Sequence, residues 1–137
     1  MNKTKIMILL AFLFFGLNQG YSQTYKFKTT GLSVSEKGKD GKWGKWSDLE
    51  LTNILVTLDT KKNRIVIYSE VIQLFEIVDY LPAEENDTDI VYPFTCKDTN
   101  GEDCTLSFIT RKNQENRKQL YIKYEDRVIV YNVVNFE

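Results

Sequence analysis

The chain of 137 residues contains no histidine, two cysteines and two prolines. Without an imidazole, neither a Ser-His-Asp triad nor a Cys-His pair can form, and the usual zinc ligand sets are incomplete. The glycine-rich segment from Gly38 to Lys45 lacks the G-x-x-x-x-G-K-[ST] spacing of a phosphate-binding loop. Carboxylates are plentiful, but no motif places two of them at the separation that glycoside hydrolysis needs. We therefore expect a non-catalytic protein without a metal or another cofactor.

The N-terminal apolar run is too short to cross a membrane, which takes roughly 20 apolar residues. Its features follow the order of a secretory signal: Lys3 and Lys5, then the apolar run Ile6–Leu17, then the small residues Gly20 and Ser22. The sequence predicts a signal peptide over residues 1–22, cleaved before Gln23. No cysteine lies directly after the apolar run to carry a lipid anchor. We expect a secreted or periplasmic chain with no membrane insertion after cleavage.

The remaining residues 23–137 are enough for one domain with a single core, and no repeat or linker divides them. Removal of residues 1–22 leaves 16 basic and 19 acidic side chains, which is a net charge of −3. This weak negative charge is spread over the chain, which argues against nucleic acid as a partner.

Alternating apolar and polar residues predict β-strands along most of this domain. A first strand begins at Thr24, places Tyr25, Phe27 and Thr29 on one face, and is predicted to extend through Leu32 and Val34. The central stretch predicts a hairpin, because Ile54–Asp59 and Arg64–Tyr68 alternate and the segment between them is rich in turn-forming residues.

From Val71 to Tyr80 the alternation changes phase. This change predicts either a β-bulge near Leu74 or a strand that is covered on both faces.

About eight short strands without an amphipathic helix predict an all-β fold, a single antiparallel meander. We favour a small up-and-down barrel over a β-sandwich, because closure into a barrel hides the sheet edges. A sandwich needs long crossing connections, and only Glu36–Asp48 and Leu81–Asp89 are candidates.

Cys96 and Cys104 flank a predicted hairpin whose three-residue loop is Thr99, Asn100 and Gly101. This register places the two cysteines opposite each other, and an exported chain reaches an oxidising compartment. We therefore predict a Cys96–Cys104 disulfide. Oxygen-bearing residues at alternate positions from Asp98 faintly resemble the start of a calcium loop, but the same residues are typical of a hairpin tip.

The segment Glu36–Asp48 is a predicted loop that carries both tryptophans of the chain, Trp43 and Trp46. Its glycines are expected to leave the backbone loose, and its lysines give it a positive local charge. We hypothesise that the two indoles line or cover the mouth of the sheet and, with Lys42 and Lys45, contact a ligand. The alternative is that both indoles plug the end of the barrel.

Gly44-Lys45-Trp46 resembles the Gly-x-Trp motif that opens the first barrel strand of lipocalins, although Gly41-Lys42-Trp43 has the same pattern. The overall pattern is similar to lipocalin-like secreted bacterial proteins of unknown function. The resemblance implies a meander barrel more than an activity, because the later Thr-Asp-Tyr motif of lipocalins is absent.

Two function classes remain after these exclusions. The first is a binding module for a small molecule or a glycan, which a hollow interior would favour. The second is a structural or interaction domain that docks a protein of the cell envelope, which a packed interior with exposed apolar residues would favour. The tyrosines Tyr68, Tyr121 and Tyr131 are interpreted as cross-strand packing residues and receive no role in a site.

Overall fold

The computed structural model describes residues 24–136, and the signal peptide predicted over residues 1–22 lies outside them. The described chain consists of β-strands without a helix. The strands are β1 (Thr24–Glu36), β2 (Glu50–Leu51), β3 (Leu55–Asp59), β4 (Arg64–Ile67), β5 (Gln73–Tyr80), β6 (Glu84–Glu85), β7 (Asp89–Lys97), β8 (Asp103–Arg111), β9 (Arg117–Lys123) and β10 (Arg127–Asn135). Among these residues no helix is long and apolar enough to span a membrane.

Eight of the strands form a closed antiparallel barrel. The sheet runs in the order β10-β9-β8-β7-β5-β4-β3-β1, and β1 pairs with β10 to close the ring. The two short strands lie outside the ring, since β2 pairs with β1 and β6 pairs with β7. The prediction of a small up-and-down barrel, rather than a β-sandwich, is confirmed.

Strand β1 is long enough to pair with two strands along one edge, β3 and then β2. Its first half, Thr24 to Lys28, pairs with β3, and its second half begins after a register shift between Thr29 and Gly31. A Cβ at Gly31 would lie 2.8 Å from the Leu49 Cδ1 atom, so the missing side chain at Gly31 lets the segment that leads into β2 lie close to β1. The second half of β1 is thereby free to hold the tryptophan-bearing segment.

The interior of the barrel is filled by aromatic and branched side chains. Phe27 and Phe108 stack with their ring centroids 4.9 Å apart, and Phe94 meets Phe108 edge-on at 6.1 Å. Tyr80 meets Phe94 in the same way at 5.4 Å. Strands β1 and β8 are not neighbours in the sheet, so the Phe27–Phe108 contact crosses the interior. A packed interior leaves the outer surface as the place to look for a binding site.

The change of phase in β5 lies at a different place from the predicted one. The register between β4 and β5 runs without a break past Leu74, whereas the pairing of β5 with β7 shifts between Ile77 and Asp79. Val78 therefore points outward and is about half exposed, while Tyr80 returns to the core. Strands β4 and β7 pair with opposite edges of β5, and the bulge lies in the ladder with β7, beyond the residues of β5 that pair with β4.

The β7–β8 hairpin confirms the predicted register but not the predicted disulfide. Cys96 lies directly opposite Cys104, and both are buried free thiols. At the two ends of the hairpin the Asp98 N–H donates to the Glu102 carbonyl and the Lys112 N–H donates to the Thr88 carbonyl. Hydrogen-bonded and non-hydrogen-bonded pairs alternate between these ends, so Cys96 and Cys104 form a hydrogen-bonded pair.

In such a pair the Cβ atoms stand about 5.5 Å apart, beyond the 3.5–4.5 Å typical of a disulfide. Burial, followed by repulsion from the ionised form of Cys104, raises the pKa of Cys96 to about 12. Burial, followed by the charge of Asp98, raises the pKa of Cys104 to about 11. Both thiols are protonated at neutral pH and pack as small apolar side chains.

The turn of this hairpin is organised by Asp98. Its Oδ1 atom accepts the N–H groups of Asn100 and Glu102, both at 2.9 Å, and its Oδ2 atom accepts the Tyr124 hydroxyl at 2.8 Å. Gly101 has φ +80° and its N–H donates to the Asp98 carbonyl at 2.9 Å. The carboxylate is thus used to close a hairpin tip, which supports the turn interpretation of this segment.

The Asp98 contacts predict an acid-sensitive contribution to stability. Burial acts to raise the pKa of Asp98, but the hydrogen bonds from Tyr124 and the turn amides outweigh it, so the pKa is lowered. Because the folded-state pKa lies below the unfolded value of about 3.9, the carboxylate stabilises the fold above that pH. This contribution is lost as the pH falls through the folded-state pKa.

We expect Asp98→Asn to flatten the dependence of the unfolding free energy on pH below about 4. Urea unfolding of parent and variant between about pH 3 and 7 measures it. The matched control is Asp87→Asn, which removes a carboxylate from an exposed loop. Equal slopes for the parent and Asp98→Asn would contradict this role of Asp98.

Candidate binding groove on the outer wall

The segment between β1 and β2 is fastened to β1 through Ser47. Its N–H donates to the Val34 carbonyl at 2.8 Å, and its hydroxyl oxygen accepts the Val34 N–H at 2.9 Å. Its carbonyl accepts the Ser33 hydroxyl at 2.8 Å. Three hydrogen bonds at one residue hold the chain beside the second half of β1, where no strand of the ring lies on that side.

The glycines of this segment form turns and permit one close backbone contact. The expectation that they leave the backbone loose is therefore corrected. The Gly44 N–H donates to the Glu36 carbonyl at 2.8 Å, and the Gly44 carbonyl accepts the Ser35 hydroxyl at 3.0 Å. A Cβ at position 44 would lie 3.2 Å from the Glu36 carbonyl oxygen. At the tip, Gly41 has φ +80° and donates to the Gly38 carbonyl at 3.0 Å, the arrangement also seen at Gly101.

The floor of the candidate site is a cross-strand row on the outer face of the barrel. Ser35 pairs with Val128, and Val128 pairs with Lys123, so the three side chains lie on one face of β1, β10 and β9. Their sequence neighbours Ile122 and Ile129 pack in the core. Alternation along the strands therefore turns this row outward.

Trp43 and Trp46 stand beside this row and complete a groove of about 330 Å³. The groove is lined by Ser35, Trp43, Gly44, Trp46, Tyr121, Lys123 and Val128. Trp43 is 44 % exposed and Trp46 is 50 % exposed, so neither indole is a buried plug. The indoles lie on the outer wall rather than in the mouth of the sheet, where the hypothesis placed them.

The lysines at the groove are not the two that the sequence singled out. Lys42 and Lys45 are exposed and do not line the groove, whereas Lys123 does. Lys37 pairs with Trp43 across an isolated bridge, and its Nζ atom lies 6.0 Å from the Trp43 ring centroid. That distance is at the limit of a cation–π interaction.

Tyr121 is a groove residue that the sequence interpretation left without a role. Its hydroxyl accepts a hydrogen bond from Arg111 Nη2 at 2.9 Å, and Arg111 in turn pairs with Asp89 at 3.0 Å. This chain of contacts fixes the ring at the groove. The alternation of Leu120 and Ile122 already turned Tyr121 outward, so its exposure could have been found in the sequence. Tyr131, by contrast, is buried in the core.

A second pocket of about 350 Å³ lies at one end of the barrel, between the β4–β5, β7–β8 and β9–β10 turns. Its charged groups are satisfied by one another: Arg127 stacks 3.7 Å over the Tyr124 ring and pairs with Glu102 at 3.1 Å. Val71 and Ile72 expose their side chains beside it. Its polar groups hold turns together, so this pocket has a structural explanation.

The outer groove offers rigid aromatic faces, one lining ammonium group and no lining carboxylate among the described residues. That set can stack on a flat or apolar ring face and hold a polar substituent, and it contains no nucleophile–base pair. Comparison of the chain with protein-family models, with curated proteins and with solved structures finds no match.

Proposed function

We propose that this chain is an exported, non-catalytic binding module of the periplasm or the cell exterior, and that its outer groove binds a glycan. The observation that carries the proposal is the pair of half-exposed indoles, Trp43 and Trp46, held together with Tyr121 in one groove. Large apolar side chains are normally buried, and two exposed tryptophans in one concave surface favour a ligand contact.

The hydrogen bonds of Ser47 and Gly44 support this function. They hold the tryptophan-bearing segment before a ligand arrives, so binding does not have to order a loose loop. The apolar faces of sugar rings pack on indole faces, and the groove volume of about 330 Å³ suits a small ligand. In this proposal the barrel is lipocalin-like in its meander, but the ligand lies on the wall instead of inside.

The proposal is tested by titrating the protein with a panel of neutral and acidic oligosaccharides. Because Trp43 and Trp46 are the two tryptophans of the chain, fluorescence excited selectively at tryptophan, and not at the eight tyrosines, reports on the groove. For a saccharide that binds the parent, we expect Trp43→Ala and Trp46→Ala each to weaken the affinity about tenfold or more in calorimetric titrations, a loss of roughly 1.4 kcal/mol.

Tyr68→Ala is the matched control, because Tyr68 is 44 % exposed like Trp43 but lies outside the groove. It should leave the affinity unchanged. Both tryptophan variants should unfold within about 1 kcal/mol of the parent, since half-exposed side chains contribute less than buried ones. A loss of several kcal/mol in both variants would instead assign the indoles to the fold and contradict the proposal.

A second candidate function is a structural or protein-interaction domain of the cell envelope. It is favoured by the packed interior and by the exposed pair Val71 and Ile72, of which Val71 is 79 % exposed. Cross-linking in the exporting cell separates the two functions. If Val71→Ser with Ile72→Ser abolishes a cross-linked protein adduct and Trp46→Ala does not, the interaction function is supported.

A further inference from the structure

We infer that the outer groove selects acidic saccharides, those that carry a carboxylate on the sugar ring, over their neutral counterparts. This inference rests on the proposed function, since it names the ligand class of the same groove. It follows from the sign of the charges that reach the two indoles, in a chain whose overall net charge is negative.

Two ammonium groups flank the aromatic faces. Lys123 lines the groove in the same cross-strand row as Val128, and the Lys37 Nζ atom stands 6.0 Å from the Trp43 ring centroid. Both lysines are exposed, and neither forms an ion pair with another described residue. Each is therefore available to an external anion.

Among the described residues no carboxylate lines the groove, although Asp79 and Asp103 line a neighbouring pocket that Lys123 also borders, where Asp103 pairs with Lys97 at 2.7 Å. Asp40 lies at the tip of the segment and accepts the Lys42 N–H at 3.0 Å, while Asp126 pairs with Arg127 at 2.8 Å. Glu36 follows Ser35 in β1 and so points to the opposite face of the strand. Neither Asp48 nor Glu125 lines the groove.

The segment between β1 and β2, which carries the indoles, contains more positive than negative side chains. Between positions 37 and 48 it carries four lysines and two aspartates. These charges act over the Debye length of about 10 Å at 0.1 M salt, so they favour the approach of an anion to the groove. A sugar carboxylate beside the indoles meets ammonium groups, whereas a neutral ester or alcohol gains only the stacking contact.

The test compares oligogalacturonate with its methyl ester, which has the same sugar rings without the charge. We expect the acid to bind about three- to tenfold more tightly than the ester, since surface ion pairs are individually weak. The preference should shrink when salt is raised from about 50 to about 500 mM. Lys123→Gln and Lys37→Gln should each lower the affinity for the acid about two- to fivefold and lower that for the ester less.

Lys61→Gln is the matched control, because Lys61 is equally exposed but lies in the β3–β4 turn. It should change neither affinity. Equal binding of acid and ester, both lost in Trp46→Ala, would overturn the charge selectivity and leave the glycan-binding function standing. Binding of neither ligand, and of no saccharide in the panel, would overturn both.

Discussion

Replacement of Phe108 by alanine is expected to lower the free energy of unfolding by about 3 to 5 kcal/mol, the range for a buried phenylalanine. Phe108 is 2 % exposed, stacks on Phe27 at 4.9 Å and meets Phe94 edge-on at 6.1 Å. Its ring joins strands on different sides of the barrel, so its removal leaves a cavity that no single neighbour can fill. Denaturation by guanidinium chloride, followed by circular dichroism, measures the change.

The matched control is Phe136→Ala, which makes the same substitution at a ring that is 48 % exposed. We expect it to cost about 1 kcal/mol or less. If Phe108→Ala cost no more than Phe136→Ala, the interior would not be packed around this ring. The reason for seeking a ligand on the outer wall would then be lost as well.

Thr29→Val is expected to cost about 1 to 3 kcal/mol, although the two side chains have nearly the same shape. Thr29 is fully buried at the register shift of β1. Its Oγ1 atom accepts the Ile54 N–H at 2.9 Å and the Thr52 hydroxyl at 2.8 Å. A valine removes the acceptor and leaves a backbone donor near the core without its partner.

Thr29→Ser is the control, because it keeps the hydroxyl and loses only a methyl group, worth about 0.8 kcal/mol if buried. The free energies of unfolding rank the two variants by stability. Amide hydrogen exchange at Ile54 shows whether the loss arises at the hydrogen bond to Thr29. Faster exchange of Ile54 is expected in Thr29→Val alone. The assigned acceptor role of Thr29 is wrong if valine is tolerated as well as serine.

Local patterns were sufficient to predict the strands and one register. Tyr25, Phe27 and Thr29 alternate with lysines, and all three are buried in β1. The turn at Gly101 determines which residues face each other across the hairpin, and Cys96 lies opposite Cys104 as predicted. These features depend on neighbours in sequence, so they are visible there. The disulfide prediction was wrong because it considered only which residues face each other, and not that the Cβ atoms of a hydrogen-bonded pair stand farther apart.

The groove could be predicted only in part because its walls come from distant parts of the chain. The sequence left open whether Trp43 and Trp46 contact a ligand at the mouth of the sheet or plug the barrel, because their position depends on how Ser47 and Gly44 bond to β1. Tyr121 and Lys123 reach the groove because β10 pairs with β1, which no local pattern encodes. The same non-local pairing places the indoles on the wall and not at the mouth.

Pairing of β1 with β10 also sets the order in which the barrel can form. The first described strand meets the last, with Lys28 opposite Val134, so ring closure requires almost the whole described chain. The neighbouring hairpins from β7 to β10 can form from local contacts, whereas the closing pair needs a long loop to be ordered first. During synthesis β1 is made before β10. It therefore has no β10 partner until the chain has been extended past Asn135. Its Tyr25 and Phe27 remain without their complete core for the same interval.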